Sequence, residues 1–301
     1  MNDLFNNTIK PKNLEELYHS ILQIVEILYD KHAPISIKNR KNKEQAKMSD
    51  AEIISIALLT ECLHMTQNAG YNFLKKNYPK LVNYCDRTRF NRTLNNLVLV
   101  IQLIRRKFKT DVKIEYSIVD SFPLVSNKFG RALFGKRLRD ICSYGYCASK
   151  KEHYYGMKIH VITDLKGDPI DYIATKANID DRIPIYELID LVNTDVIFGD
   201  KGYFKSGFYE ELKNETGVKL IALRKKNMKE PLTHSFKKLI TKLRRRIETT
   251  FDQLSEHFNI ERIRANSKRG VQTMLEIKFF AFNLLAFIGG STKISNVLNY
   301  N

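Results

Sequence analysis

Three carboxylates carry the chemistry this sequence offers: Asp120, Asp200 and Glu248. Asp120 follows a run from Ile114 rich in β-branched and aromatic residues, and Pro123 predicts that the strand stops near Asp120. Asp200 lies in Gly199-Asp200-Lys201-Gly202-Tyr203, directly after a strand expected at Val196–Phe198. Glu248 sits on a helix expected over Phe236–Phe258, beside an apolar stripe of Leu239, Leu243, Ile247, Phe251, Leu254 and Phe258. If the two strands are neighbours the three groups meet, and carboxylates crowded into one cleft repel unless a divalent cation neutralises them. Oxygen donors without His or Cys favour Mg²⁺, with Mn²⁺ as the substitute. Two such ions, roughly 3.5–4 Å apart, bind the attacking and leaving oxygens of an in-line phosphoryl displacement. Attack by water nicks a polynucleotide, and attack by a 3′-hydroxyl joins it to a new strand.

Each carboxylate also has a purely structural reading. Asp120 can open a turn before Ser121 and Pro123, the Gly-Asp-Lys-Gly stretch can be an ordinary turn, and Glu248 can pair with Arg244 one helical turn earlier. Asp164, Asp180, Asp181 and Asp252 are further candidates, and His160 reads as a packed strand histidine rather than a proton shuttle.

The charge balance points to a polyanion. The 301 residues carry 50 Lys and Arg against 33 Asp and Glu, a formal net charge of +17. Cations on this scale gain binding free energy by releasing counterions from nucleic acid, with an anionic membrane surface as the competing partner. The cations placed to meet phosphates are Arg89 and Arg92 on a helix face, Arg137, Lys150 and Lys151 in a basic, tyrosine-containing loop over Ser126–Lys151, Lys201 beside Asp200, and Arg244 and Arg245 beside Glu248. Basic residues interleaved with aromatics suit a nucleic-acid channel, where phosphates meet cations and bases stack on rings; a merely solvated loop is the other reading. The four cysteines form no C-x-x-C pair, which disfavours a zinc site. No signal peptide opens the sequence, and the apolar run Phe279–Gly290 is too short to span a bilayer, so a cytoplasmic protein without membrane contact is expected.

The elements that must position these groups fall into two textures. Residues 1–110 show helical periodicity: an amphipathic helix over Asn13–Asp30, a basic linker at Lys38–Lys47, a helix capped by Ser49 or Asp50, a short helix stopped by Pro79, and one from Asp86 through Ile104 presenting Arg89 and Arg92. A helix-turn-helix-like reader of DNA ends and a helical cap with a solvated face fit this third equally well. Residues 111–301 read as strand, hairpin pair turning at Lys166-Gly167-Asp168-Pro169, helix, strand, helix, strand and long helices, the last an apolar core helix over Val271–Ile288. The fold class is α/β, a mixed sheet with helices on both sides, preceded by a small all-helical domain.

Val119-Asp120-Ser121-Phe122-Pro123-Leu124, Gly145-Tyr146-Cys147-Ala148-Ser149-Lys150, Tyr155-Gly156-Met157-Lys158-Ile159-His160, Ala177-Asn178, Gly199-Asp200-Lys201-Gly202-Tyr203 and Arg246-Ile247-Glu248-Thr249 together resemble the DDE transposases of bacterial insertion sequences, of the insertion-sequence family 982 type. The resemblance implies an RNase H-like fold, a metal-bound triad at Asp120, Asp200 and Glu248 with two Mg²⁺ ions per site, and cleavage and strand transfer at the element's terminal inverted repeats. It also implies double-stranded DNA as partner, both the repeats and a target. Joining two DNA ends in one event calls for a homodimer or higher assembly on DNA. Related transposases carry a tyrosine-arginine-glutamate-lysine signature; Arg244 and Glu248 fit its spacing, while Thr241 and Ser255 stand where Tyr and Lys would be. A catalytically silent DNA-binding repressor and a structure-specific nuclease of the same fold are the alternatives.

Overall fold

The computed structural model describes residues 11–82, 85–109, 113–127, 129–134, 138–148, 150–203, 207–222 and 233–298. In chain order the longer elements are α1 (Leu14–His32), α2 (Asp50–Cys62), α3 (Gln67–Asn77), α4 (Arg87–Asn96), α5 (Val98–Lys109), β1 (Ile114–Asn127), β2 (Ser143–Cys147), β3 (Glu152–Asp164), β4 (Pro169–Lys176), α6 (Ile183–Leu191), β5 (Thr194–Gly199), α7 (Phe208–Thr216), β6 (Lys219–Ala222), α8 (His234–Phe258) and α9 (Lys268–Gly289). They divide into a helical unit, Met1–Asp111 with Leu254–Ile260 and Arg264–Asn301, and a sheet unit, Val112–Gln253 with Glu261–Ile263.

In the helical unit, α1 buries Leu17, Ile21, Ile24 and Val25 along one stripe, and α2 is buried on nearly every side. Ser49 caps α2 in a reciprocal capping box with Glu52. The Asp50 carboxylate, not needed for the cap, accepts from Tyr29 Oη at 2.6 Å and from Arg40 Nη2 at 2.5 Å, tying the basic linker to α1 and α2. The helix expected from Asp86 through Ile104 is two helices that break at Leu97.

The split expected at residue 110 changes at the C-terminus, where α9 belongs with the N-terminal helices instead of the sheet. A helix apolar around its circumference has to be enclosed. Packed on α2 and α5, α9 buries Phe279, Phe280, Phe282, Leu284 and Leu285. Its two buried charges find partners there, Glu276 Oε2 at 2.5 Å from Arg105 Nε and Lys278 Nζ at 2.6 Å from Glu61 Oε2. The stretch Lys268–Val297 is long and apolar enough to cross a membrane, contrary to the shorter run read from sequence, but most of it is buried in this unit as core.

The sheet unit holds a six-stranded mixed sheet. Its order is β2-β3-β1-β5-β6, with β4 also on β3: β2 pairs with Glu152–Gly156 and β4 with Met157–Thr163 along one edge of β3. The β1–β5 and β5–β6 ladders are parallel and the others antiparallel. One face is covered by α6 and α7, which bury Ile185, Leu188, Phe208 and Leu212 against Val119, Ile162 and Ile197. On the other, α8 buries Ile240, Leu243 and Ile247 against Ile118 and Phe198. Ile240 takes the place expected for Leu239, which is exposed.

Two expectations about β1 and its neighbour are corrected. β1 does not stop near Asp120 but runs on through Pro123 to Asn127, because past Ile118 it is paired with β3 only. A strand with one open edge tolerates a residue that lacks an N–H donor. Within the segment expected as one long loop, Ser143–Cys147 is the edge strand β2.

Candidate active site

Register sets the first two carboxylates. Ile118 pairs with Phe198 in the parallel β1–β5 ladder, and both side chains face α8. Two residues further along each chain, Asp120 and Asp200 emerge toward the same face, since side chains alternate with a period of two. Asp120 thus lies in mid-strand, at the level where its neighbour β5 ends, and Asp200 directly follows β5.

Helix α8 supplies the third. Burying Ile240, Leu243 and Ile247 turns Arg244 and Glu248, one helical turn apart, toward the ends of the β1–β5 ladder. The β3–β4 turn fixes the helix lengthwise: Thr250 Oγ1 donates to Gly167 O at 2.6 Å, and the Arg246 guanidinium donates to Leu165 O. Gly167 has φ +96°, and a Cβ there would stand 2.9 Å from Thr250 Oγ1 and 3.1 Å from Arg246 O, so the turn docks on α8 only with glycine. Asp164 is explained by the same turn, accepting from Lys166 N at 2.8 Å and Asp168 N at 2.9 Å.

The three carboxylates surround the Arg244 guanidinium. Nη1 is 3.2 Å from Asp200 Oδ1; Nη2 is 3.1 Å from Glu248 Oε1 and 3.9 Å from Asp120 Oδ2. The cleft opens from Asp120, 18% exposed, through Asp200 at 34% to Glu248 at 51%. Burial pushes the Asp120 carboxyl up to about 7, with repulsion from Asp200 and Glu248 adding to it; the Ser121 N–H, 2.8 Å from Oδ1, and Arg244 act the other way.

An acidic donor set with one carboxyl pushed toward its protonated form, and a buried oxygen, Asp200 Oδ1, that faces the Arg244 guanidinium without a hydrogen bond, is what a divalent cation would complete. Among the described residues no three His, Cys, Asp or Glu side chains already stand close enough to hold an ion, because the guanidinium lies between them. The residues therefore fit a metal by their chemistry, with Arg244 as the cation now at the centre.

A second polar cluster lies behind the first. Asp181 Oδ1 accepts from Lys158 Nζ at 2.9 Å and from Ser121 Oγ at 3.3 Å, so this aspartate is tied to the residue after Asp120. The buried Tyr203 hydroxyl is raised well above its usual range, by burial first and then by Asp120, Asp181 and Asp200. Sequence reading gave no role to Lys158 or Tyr203; strand alternation puts Lys158 two residues from His160 on one face, a signal only once the register is known. Asp180 is held down to about 2 chiefly by its hydrogen bonds from Arg182. His160, down at about 4 through burial, is a neutral, packed strand residue bonded to Thr175 Oγ1 at 2.9 Å. Asp252 is exposed on α8.

Of the cations expected to meet phosphates, Arg89 and Arg92 are exposed on α4, whose N-terminus Asp86 caps. Lys151, Lys201 and Arg245 are exposed in the sheet unit. Lys150 is half exposed and pairs with Glu261 at 2.8 Å. Arg244 is engaged by carboxylates, and Arg137 lies outside the described residues.

A protein-family model described as a transposase DDE domain matches residues 108–268, more than half of the chain. The chain belongs to this transposase family. A search of curated proteins gave no match. The segment matched to the transposase domain contains all six strands, α8 and the three carboxylates around Arg244.

Proposed function

We propose that this transposase is an insertion-sequence enzyme of the family 982 type with an RNase H-like catalytic fold, cutting and rejoining DNA at the terminal inverted repeats of its own element in the bacterial cytoplasm. The observation that carries the reading is the meeting of Asp120, Asp200 and Glu248, from two adjacent strands and one helix, around a single positive charge within the family-matched segment. Asp120, Asp200 and Glu248 would hold two Mg²⁺ ions, which, when bound, activate the attacking oxygen and stabilise the leaving one.

The chain's own residues do the rest. The Ser121 N–H orients Asp120, and Lys158 and Asp181 hold Ser121 in turn. To serve as a ligand Asp120 would be in its carboxylate form, giving up to solvent the proton that burial favours. With a cation among the carboxylates, Arg244 would be placed to hold a DNA phosphate, a role its planar fork suits, while Lys201 and Arg245 face solvent to receive the strand. The helical unit, with Arg89 and Arg92 exposed, recognises the DNA ends, and two copies act together because two ends are joined.

Replacement Glu248→Gln keeps shape and removes a charge. With Mg²⁺ and labelled terminal-repeat DNA it is expected to lower cleavage by at least about a hundredfold while duplex affinity stays within a few fold. Undiminished cleavage by the variant removes Glu248 from the site. Retarded but uncut DNA with the unaltered protein leaves a DNA-binding protein without the chemistry.

A further inference from the structure

The edge ribbon of the sheet carries an aromatic array that the carboxylate chemistry does not use. In the β2–β3 ladder Tyr144 pairs with Tyr155 and Tyr146 with His153. The ring centroids in these pairs are 5.0 and 4.9 Å apart, and Phe129 adds a third contact, 5.3 Å from Tyr144. Between the two tyrosines, Gly145 points the opposite way, where a Cβ would stand 2.7 Å from Ala177 Cβ. A side chain at 145 would lift the ribbon off its support, while strand alternation by itself puts Tyr144 and Tyr146 on the outer face.

Tyr155 is the buried base of the array, and the rings set against it are open. Phe129 is 50% exposed, Tyr144 42% and Tyr146 53%. Strand alternation places the array on the catalytic face: Asp120 pairs with Val161, and Val161, Ile159, Met157, Tyr155 and His153 lie on one side of β3. From Val161 to Tyr155 is six residues, about 20 Å of strand. That is the rise of about six nucleotides of duplex DNA. Arg139 and Lys151 are exposed beside the ribbon, and Arg139 is near enough to act on the Tyr155 hydroxyl.

We infer that this array is a binding site for unpaired nucleobases, stacking a few bases of a melted or single-stranded DNA segment about six nucleotides from the carboxylates while Arg139 and Lys151 meet its phosphates. Open rings with cations at their rim match the chemistry of single-stranded DNA, whose bases present π-faces and whose backbone is anionic. The inference rests on the reading of the chain as a DNA enzyme and adds to it the state of the DNA it prefers.

The test uses full-length protein in the presence of chelator, so that nothing is cut. Two duplexes of identical sequence are compared, one fully paired and one with three or so unpaired bases on one strand, the latter containing 2-aminopurine. The wild-type protein is expected to bind the partly unpaired duplex at least about fivefold more tightly and to quench the 2-aminopurine by stacking. Combined Tyr144→Ala and Tyr146→Ala substitution should abolish both preference and quenching while leaving affinity for the paired duplex within a few fold; the Tyr→Phe pair should retain both. The wild-type comparison needs no variant, so a misfolded mutant does not spoil the test. Equal affinity for the two duplexes, or quenching that survives the alanine pair, overturns the inference. So does a Tyr144- and Tyr146-dependent dimer in sedimentation without DNA, which would make the ribbon a contact between copies. A protein that binds neither duplex fails the underlying functional reading instead.

Discussion

Arg244 is the residue on which the site turns. Three acidic groups gathered by a fold destabilise it unless a cation lies among them, and here a side chain fills that role. Replacing Arg244 by Gln leaves the carboxylates without compensation, at an expected cost of about 1–2 kcal/mol in chelator. Millimolar Mg²⁺ should restore most of it, as urea unfolding with and without the ion would show; equal curves mean the carboxylates bind no ion. Asp120 makes a separate prediction with a definite sign. Its folded-state value near 7 lies above the unfolded one near 4, so the folded protein keeps a proton that the unfolded chain gives up. Metal-free stability from this group therefore falls as pH rises from about 4 to about 7 and stays low above that. Asp120→Asn removes the penalty. Its melting temperature should exceed the wild-type value at pH 8, with the gap closing toward pH 4, and a gap independent of pH would contradict the raised value.

At the scale of elements, the site is a by-product of two packing solutions. The β1–β5 register puts Asp120 and Asp200 on the α8 face, and the stripe Ile240, Leu243, Ile247 turns Glu248 toward them. Ile247 is fully buried, and Ile247→Ala should cost about 2–5 kcal/mol, as a cavity in a close-packed core does. Ile185→Ala, equally buried on the opposite face, should cost a similar amount. At a temperature where both variants are folded, only the first should lose DNA cleavage, because only it loosens α8; matching cleavage would separate Glu248's position from this contact. Helix α8 was legible from spacing, and Ile240 in place of Leu239 is a small rotation of the expected stripe. The length of β1 was not legible, because a proline forbids a paired edge and sequence does not say which edge is open.

At the scale of the whole molecule, charge and chain path matter most. The net charge of +17 predicts DNA affinity that falls steeply with salt. Combined Arg89→Ala and Arg92→Ala substitution should weaken binding similarly across sequences and flatten the logarithmic salt slope by about 2 if both meet phosphates. An unchanged slope in salt-titrated binding would move the contact elsewhere. Truncation at residue 111 is the wrong way to test the helical unit, since it would strip the cover from α9 and expose its phenylalanines. The sequence by itself determined the polyanionic partner class, the alternation of strands and helices, and the three carboxylates worth watching, because charge, periodicity and residue chemistry are local properties. Only the tertiary structure decided that β1 and β5 are neighbours in a register that aligns Asp120 with Asp200, that Arg244 lies between the carboxylates, and that the last helix joins the first ones. Those outcomes follow from which apolar faces bury each other, a choice made among distant segments at once and written in no single stretch of chain.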